Sequence, residues 1–351
     1  ARPRDIPAKL RRAGRRRLAG MAAALLLSLA FAHPVAAQES KFLRIGTGAI
    51  GGTYFPIGGL IANAISSPPG SRSCEAGGSC GVPGLIAVTQ STQGSVENVI
   101  AVGGGELETA LTQADIAYFA YFGKGVLAKQ GRFGNLRAIA NLFPEMVHLV
   151  VRRDSEIWEV AGLKGKRVNL GEKGSGTLVG AHIILAAHGL KEAGVKSSHY
   201  KVGKASDLLR AGKIDAYFMF GGLPVNAVAV LAETGGIRLL PIAGKAVVAI
   251  REEHPFFAED VIAEGTYKGI GAVATLSVGA LWVTRLEVNA DLVYGMTRAL
   301  WHPRSRRVLD GGHAQGRRIQ VKKALNGVAI PIHPGALRYY EEAGLTRAPL
   351  E

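Results

Sequence analysis

Four glycines within seven residues, Gly46, Gly48, Gly51 and Gly52, are the first feature of this chain whose chemistry can be named. They lie in FLRIGTGAIGGTYFPIGGLIANAI, residues 42–65, between a short apolar run and an amphipathic one. Glycine permits φ > 0 and lets a ligand approach the main chain closely. A helix that starts directly after such a turn presents unpaired N–H groups and the positive end of its dipole. What those groups attract is an anion. Thr53 and Tyr54 close the turn and can add side-chain donors.

The arrangement recurs. In KRVNLGEKGSGTLVGAHIILAAH, residues 166–188, an apolar run is followed by a turn carrying Ser175, Gly176 and Thr177 and then by an amphipathic run. Ser175 and Thr177 can cap that helix or bind a ligand. Gly105-Glu-Leu-Glu-Thr-Ala-Leu-Thr-Gln and Gly212-Lys-Ile-Asp-Ala-Tyr-Phe-Met-Phe align at a constant offset of 107 residues, each a short strand entering a turn. Two α/β lobes built to one plan fit this pattern. Open α/β sheets place ligand contacts just past the carboxyl ends of their strands. That rule adds Gly94 and Ser95, Gln113, and the Gly221-Gly222 turn to the candidates. None of these turns contains arginine, so a carboxylate-bearing solute would be held by neutral donors.

Other chemistries are poorly supported. Gly46-x-Gly48-x-x-Gly51 matches the dinucleotide fingerprint, which also requires a second strand ending in an acidic residue about 20 residues on. Residues 66–84 are rich in turn formers and read as containing no strand. There is no HExxH or Walker A motif. Asp115 is the nearest candidate for acid/base work. Cys74 and Cys80, the only cysteines, lie in a Gly/Ser/Pro loop and read as a local disulfide rather than zinc ligands. Neither a metal nor a cofactor is expected.

The elements that must position these residues follow from periodicity. Of the 351 residues, 48% are hydrophobic, enough for one large or two medium cores. Residues 1–37 join a basic stretch to the 12-residue apolar run 21–32 and then small residues, the pattern of a signal peptide cleaved before Gln38. Arg16-Arg17-Leu18 leaves both general and twin-arginine export open. That segment holds eight Lys+Arg and one Asp, so the remainder carries 34 basic and 26 acidic side chains, a net +8 against +15 overall. The charges are scattered without aromatic interleaving, which gives no nucleic-acid footprint. Residues 136–141 and 146–151 read as two extended pieces around Pro144, and 272–283 as a strand crossing back between lobes.

The chain resembles the TAXI family of extracytoplasmic solute receptors, which serve TRAP transporters. The resemblance spans the chain after residue 37 and is carried by IGTGAIGGTYFPIGG, SCEAGGSCGVPGLIAV, TQGSVENV, QADIAY, VHLVVRRDS, LKGKRV, GSGT, GGLP, AEGTYKG, LSVGALWV and GVAIPIHPGALRYYEEAGL. It implies a two-lobed periplasmic-binding fold of type II, with lobe one at 38–146, lobe two at 147–274 and a return to lobe one at 275–351. It implies a monomeric periplasmic receptor, not an enzyme, that passes a glutamate-like amino acid or a dicarboxylate to a membrane permease whose two parts are usually fused. A sensor-input protein and an enzyme on the same fold are the alternatives.

Overall fold

Strand–turn–helix units in the first half of the chain set the architecture. The computed structural model describes residues 40–345, so the expected signal peptide lies outside the described residues. β1 (Lys41–Gly46) feeds α1 (Tyr54–Ile65). β2 (Ser66–Ser67) and β3 (Val82–Pro83) then form a small parallel pair beneath the cysteine loop. The sequence reading placed no strand in this region; two residues a side are too few to show an alternating pattern. β4 (Leu85–Gln90), α2 (Ser95–Gly103), β5 (Thr109–Gln113) and α3 (Ala114–Phe122) complete the first series. After β6 (Leu136–Arg152) come β7 (Arg167–Asn169), α4 (Gly176–Ala187), β8 (Lys196–Ser198), α5 (Val202–Arg210) and β9 (Ala216–Gly221). α6 (Asn226–Glu233), β10 (Ile237–Leu240) and α7 (Lys245–Glu253) follow. β11 (Ala258–Ile262) pairs with β12 (Val273–Arg285), and α8 (Ala290–Trp301), α9 (Pro303–Gly312) and α10 (Pro334–Glu342) close the chain.

The strands form two sheets' worth of the same order within one continuous sheet. In the first lobe the order is β4-β1-β5-β12-β6, with β4, β1 and β5 parallel and β12 antiparallel to both its neighbours. In the second lobe it is β8-β7-β9-β6-β10, with β8, β7 and β9 parallel and β6 antiparallel to both neighbours. Each lobe thus borrows its antiparallel strand from a long element that belongs to both halves. The fold is α/β and two-lobed, with a cleft between the lobes. A matching ion-pair fork occurs in both halves. Arg44 of β1 donates from N, Nε and one terminal nitrogen to Glu108 at 2.8, 3.1 and 2.8 Å. Arg167 of β7 does the same to Asp215 at 2.8, 3.1 and 2.6 Å. Glu108 and Asp215 are themselves 107 positions apart. Both arginines are partly exposed, so the forks fix geometry more than they stabilise.

β6 is one 17-residue strand, not two pieces broken at Pro144. Proline removes a ladder donor, but it is tolerated where only one side of a strand is paired. Pro144 faces Gly279 of β12 on one side, and pairing to β9 begins only at Met146. β12 shifts register between Ala280 and Leu281 and again between Trp282 and Val283, so the crossing absorbs its twist there. Trp282, Tyr217, Tyr340 and Phe218 are the largest fully buried side chains around it.

Cys74 and Cys80 are bonded, with Cα atoms 4.6 Å apart and a sequence separation of 6. A loop this short confers a stabilisation of about 2 kcal/mol on the chain-entropy model. Replacing both cysteines with alanine should therefore lower the unfolding free energy by about that amount. Denaturant titration checks this, and solute affinity should not change because neither residue lines the cleft cavity.

Candidate functional site

Two helices of equal length, α1 and α4, point their N-termini at one cavity, one from each lobe. Among the described residues, the main-chain N–H groups of Thr53, Tyr54, Gly176 and Thr177 have no protein acceptor, as expected of a helix's first turn. Ser175 is the cap of α4: its Oγ accepts from Leu178 N at 3.1 Å. Thr177 lies inside the helix, and its Oγ1 accepts from Phe220 N at 3.3 Å.

The glycines have reasons other than the one expected for the first turn. Gly46, Gly48, Gly51 and Gly52 all have φ < 0. Space is what Gly46 supplies, since a Cβ there would stand 2.7 Å from Leu107 Cδ1 and 2.9 Å from Asn98 Oδ1. Positive φ occurs instead at Gly94 (+116°), Gly171 (+95°) and Gly174 (+93°).

The lobes meet over the cavity. Val96 N and Glu97 N both donate to Gly174 O at 3.0 Å, and Ala227 N donates to Gly51 O at 3.2 Å. Thr53 Oγ1 donates to Gly222 O at 2.7 Å, and Lys201 Nζ to Thr92 O at 3.2 Å. The cavity has a volume of about 50 Å³, room for a few water-sized groups. Gly48, Gly52, Thr53, Tyr54, Gly94, Ser95 and Gln113 line it from the first lobe, and Ser175, Gly176 and Thr177 from the second. Gly51, Gly221 and Gly222 lie outside its lining. Gly51 and Gly222 instead accept hydrogen bonds from the opposite lobe, and a Cβ on Gly221 would press on Val225 Cγ2 at 2.8 Å.

Several wall residues were not anticipated. Ala49, Gln93, Val202, Met219 and Phe220 line the cavity, as do two acids, Glu145 and Glu172. Glu145 is 3% exposed, and its Oε2 accepts from the Tyr54 hydroxyl at 2.9 Å. Burial pushes its carboxyl up to about 8; the charge of Asp115 adds to this, while hydrogen bonds from Tyr54 and Gln113 oppose it. Asp115, on the first turn of α3, is raised by burial to about 7 against main-chain bonds from Ile116 and its own N–H. Glu172 is raised by burial to about 7, with the charge of Lys201 opposing. Burial, with the Glu145 charge, carries the Tyr54 phenol well above its usual range. A signal for Glu145 was present: it is the only acid within the largely apolar stretch LRAIANLFPEMVHLVVR.

The carboxyls and the helix ends give the cavity both hydrogen-bond donors and acceptors. Similar solved structures include the alkanesulfonate-binding protein SsuA from Xanthomonas axonopodis pv. citri bound to MOPS, 16% identical, covering 87% of this chain and 85% of that one at a TM-score of 0.45. A Bordetella bronchiseptica RB50 protein is 18% identical over 88% of this chain and 91% of its own, at 0.49. An ancestral arginine-binding protein bound to arginine is 14% identical over 77% and 97%, at 0.44. The model of one family matches residues 45–344, and on that match the chain belongs to the NMT1-like family.

Proposed function

We propose that this protein is an exported receptor that captures a small solute between its lobes and passes it to a membrane permease. The observation that carries the reading is the cavity itself: its wall is shared between the lobes, and each lobe contributes a helix N-terminus with unpaired N–H groups. A solute bridging the two sets of donors favours the closed form, because only there are both satisfied. The carboxylate of a glutamate-like amino acid or a dicarboxylate suits those donors. The resemblance to the TAXI receptors supports a TRAP-type permease as the recipient and the periplasm as the location. The long strands β6 and β12 are the hinge in this reading, with lobe one at 38–146 and 275–351 and lobe two at 147–274.

The test is a panel of amino acids, 2-oxo acids and dicarboxylates screened by native mass spectrometry, followed by small-angle scattering. A bound solute should reduce the radius of gyration as the lobes close. A saturated site with an unchanged radius would remove hinge closure from the reading. Catalysis is the second reading, and it rests on the buried Asp115 and Glu145 carboxyls, whose raised pKa values resemble those of acid/base residues. Recovery of the bound compound chemically unchanged after prolonged incubation would count against it.

A further inference from the structure

The cavity carries more acceptor chemistry than an anion receptor needs. Among the described residues, two carboxyls line it and no lysine or arginine does. Lys201, the cation acting on Glu172, is committed to Thr92 O across the cleft. Glu145 has only neutral partners, the Tyr54 hydroxyl and the Gln113 amide. Gln113 Oε1 is buried and has no hydrogen-bond partner among the described residues, and the same holds for Asp115 Oδ1. A buried carboxylate without a cation is costly, and the cost is relieved by a proton or by a charged donor. The free N–H groups of Gly176 and Thr177 belong to the same cavity lining, from the second lobe.

Resting on the receptor reading, we infer that Glu145 is the specificity-determining residue for a protonated amine on the solute. The preferred ligand is then a zwitterion whose carboxylate meets the α4 N-terminus and whose ammonium meets Glu145. A dicarboxylate that lacks the amine leaves Glu145 without its partner. Proton exchange follows from the same geometry. The titratable groups facing Glu145 are Tyr54 and Asp115, with Glu172 elsewhere on the cavity wall. Without a cation, Glu145 holds its proton up to about pH 8. An arriving ammonium favours the ionised form, so binding at pH 7 releases that proton to solvent.

Calorimetry on the signal-free protein tests this with two matched pairs, L-glutamate against 2-oxoglutarate and L-alanine against pyruvate. Members of a pair differ in having an ammonium or a keto oxygen at the same carbon. The amine-bearing member of the pair that fits should bind roughly 100-fold more tightly. Titration in two buffers of different ionisation enthalpy should show net proton release. Glu145→Gln, which keeps the shape, should weaken the amino acid by a similar factor and abolish proton release while leaving the keto acid no weaker. The wild-type comparison needs no variant, so misfolding of E145Q does not blunt the test. Equal or tighter keto-acid binding, with proton uptake, would overturn the inference and make Glu145 a protonated donor to an anion. If none of the four compounds binds, nor L-glutamine nor succinate, the receptor reading for this solute class falls as well; binding without amine preference sinks the inference alone.

Discussion

Gly176→Val is expected to fold normally and to lose most of its affinity for solute. Gly176 opens α4 in the second lobe, and a Cβ there would stand 1.7 Å from Gln113 Oε1, 2.5 Å from Gln113 Cδ and 3.1 Å from Ser95 Oγ. All three atoms belong to the first lobe, so the collision exists only when the cleft is shut. With the lobes apart, the position is simply the first residue of a capped helix. Overpacking of this kind costs about 1–3 kcal/mol, which is roughly a 5- to 150-fold loss of affinity. Gly180, one turn further along the same helix, provides the contrast. A Cβ there would lie 2.2 Å from Phe220 Cζ within its own lobe. Gly180→Ala should therefore lower the melting temperature and Gly176→Val should not. Calorimetry and thermal unfolding on both variants separate the effects, with scattering to show whether Gly176→Val stays open at saturating solute. Wild-type affinity in Gly176→Val would mean that the lobes never approach this closely in the bound state.

The two-lobed plan was legible in the sequence because similar strand-and-turn units recur at a fixed register of 107 residues. Gly105 and Gly212 both adopt positive φ, and each is followed by an acid that clamps an arginine on the neighbouring strand. Such local devices survive in a linear pattern. What the chain does across the cleft does not. The rule that ligands sit past strand ends names a loop but not which side of it faces the cavity. At Gly222 the side expected to meet solute is filled, with Gln315 Cγ 2.8 Å and Phe143 Cδ2 2.9 Å from a Cβ position. Gln315 lies 93 positions away in the sequence, in a segment with no clear period. The glycines of the first turn show a second limit. Composition announces freedom of φ, yet Gly46 is there to make room for Leu107 and Asn98. Glu145 shows a third. The absence of arginine from the turns pointed to neutral donors and left acids unconsidered; of the two acids that line the cavity, Glu145 stands in the middle of a strand, where a polar residue is read as an exception.

That buried charge makes stability fall as pH rises, the reverse of the usual trend for a protein with paired surface acids. Glu145, Asp115 and Glu172 have folded-state values of about 8, 7 and 7, all above the ordinary carboxylate range. Between about pH 4.5 and those values, the folded protein binds protons that the unfolded chain has released. Their contribution to stability is therefore complete below the unfolded values and is lost as pH climbs through the folded ones. His148 works the other way. Buried between Met146 O and the Tyr267 hydroxyl, it is lowered to about 4 and stays neutral in the fold. Its contribution is complete above about pH 6.5 and is lost toward pH 4, so it offsets part of the carboxyl slope in that window. The steepest loss should then fall from about pH 6.5 to 7, where three carboxyls act without opposition, with a tail to about 8 from Glu145. At about 1.4 kcal/mol per proton per pH unit, the whole decline from pH 5 to 8 amounts to several kcal/mol. Urea titrations at pH 5, 6.5 and 8 measure it, and a stability that is flat or rises over that range would contradict the buried acids. Glu145→Gln should remove about one proton's worth of slope and make the protein more stable than wild type at pH 8. An amine-bearing solute should flatten the wild-type slope in the same way, because an ammonium beside Glu145 favours the ionised form that the empty cleft resists.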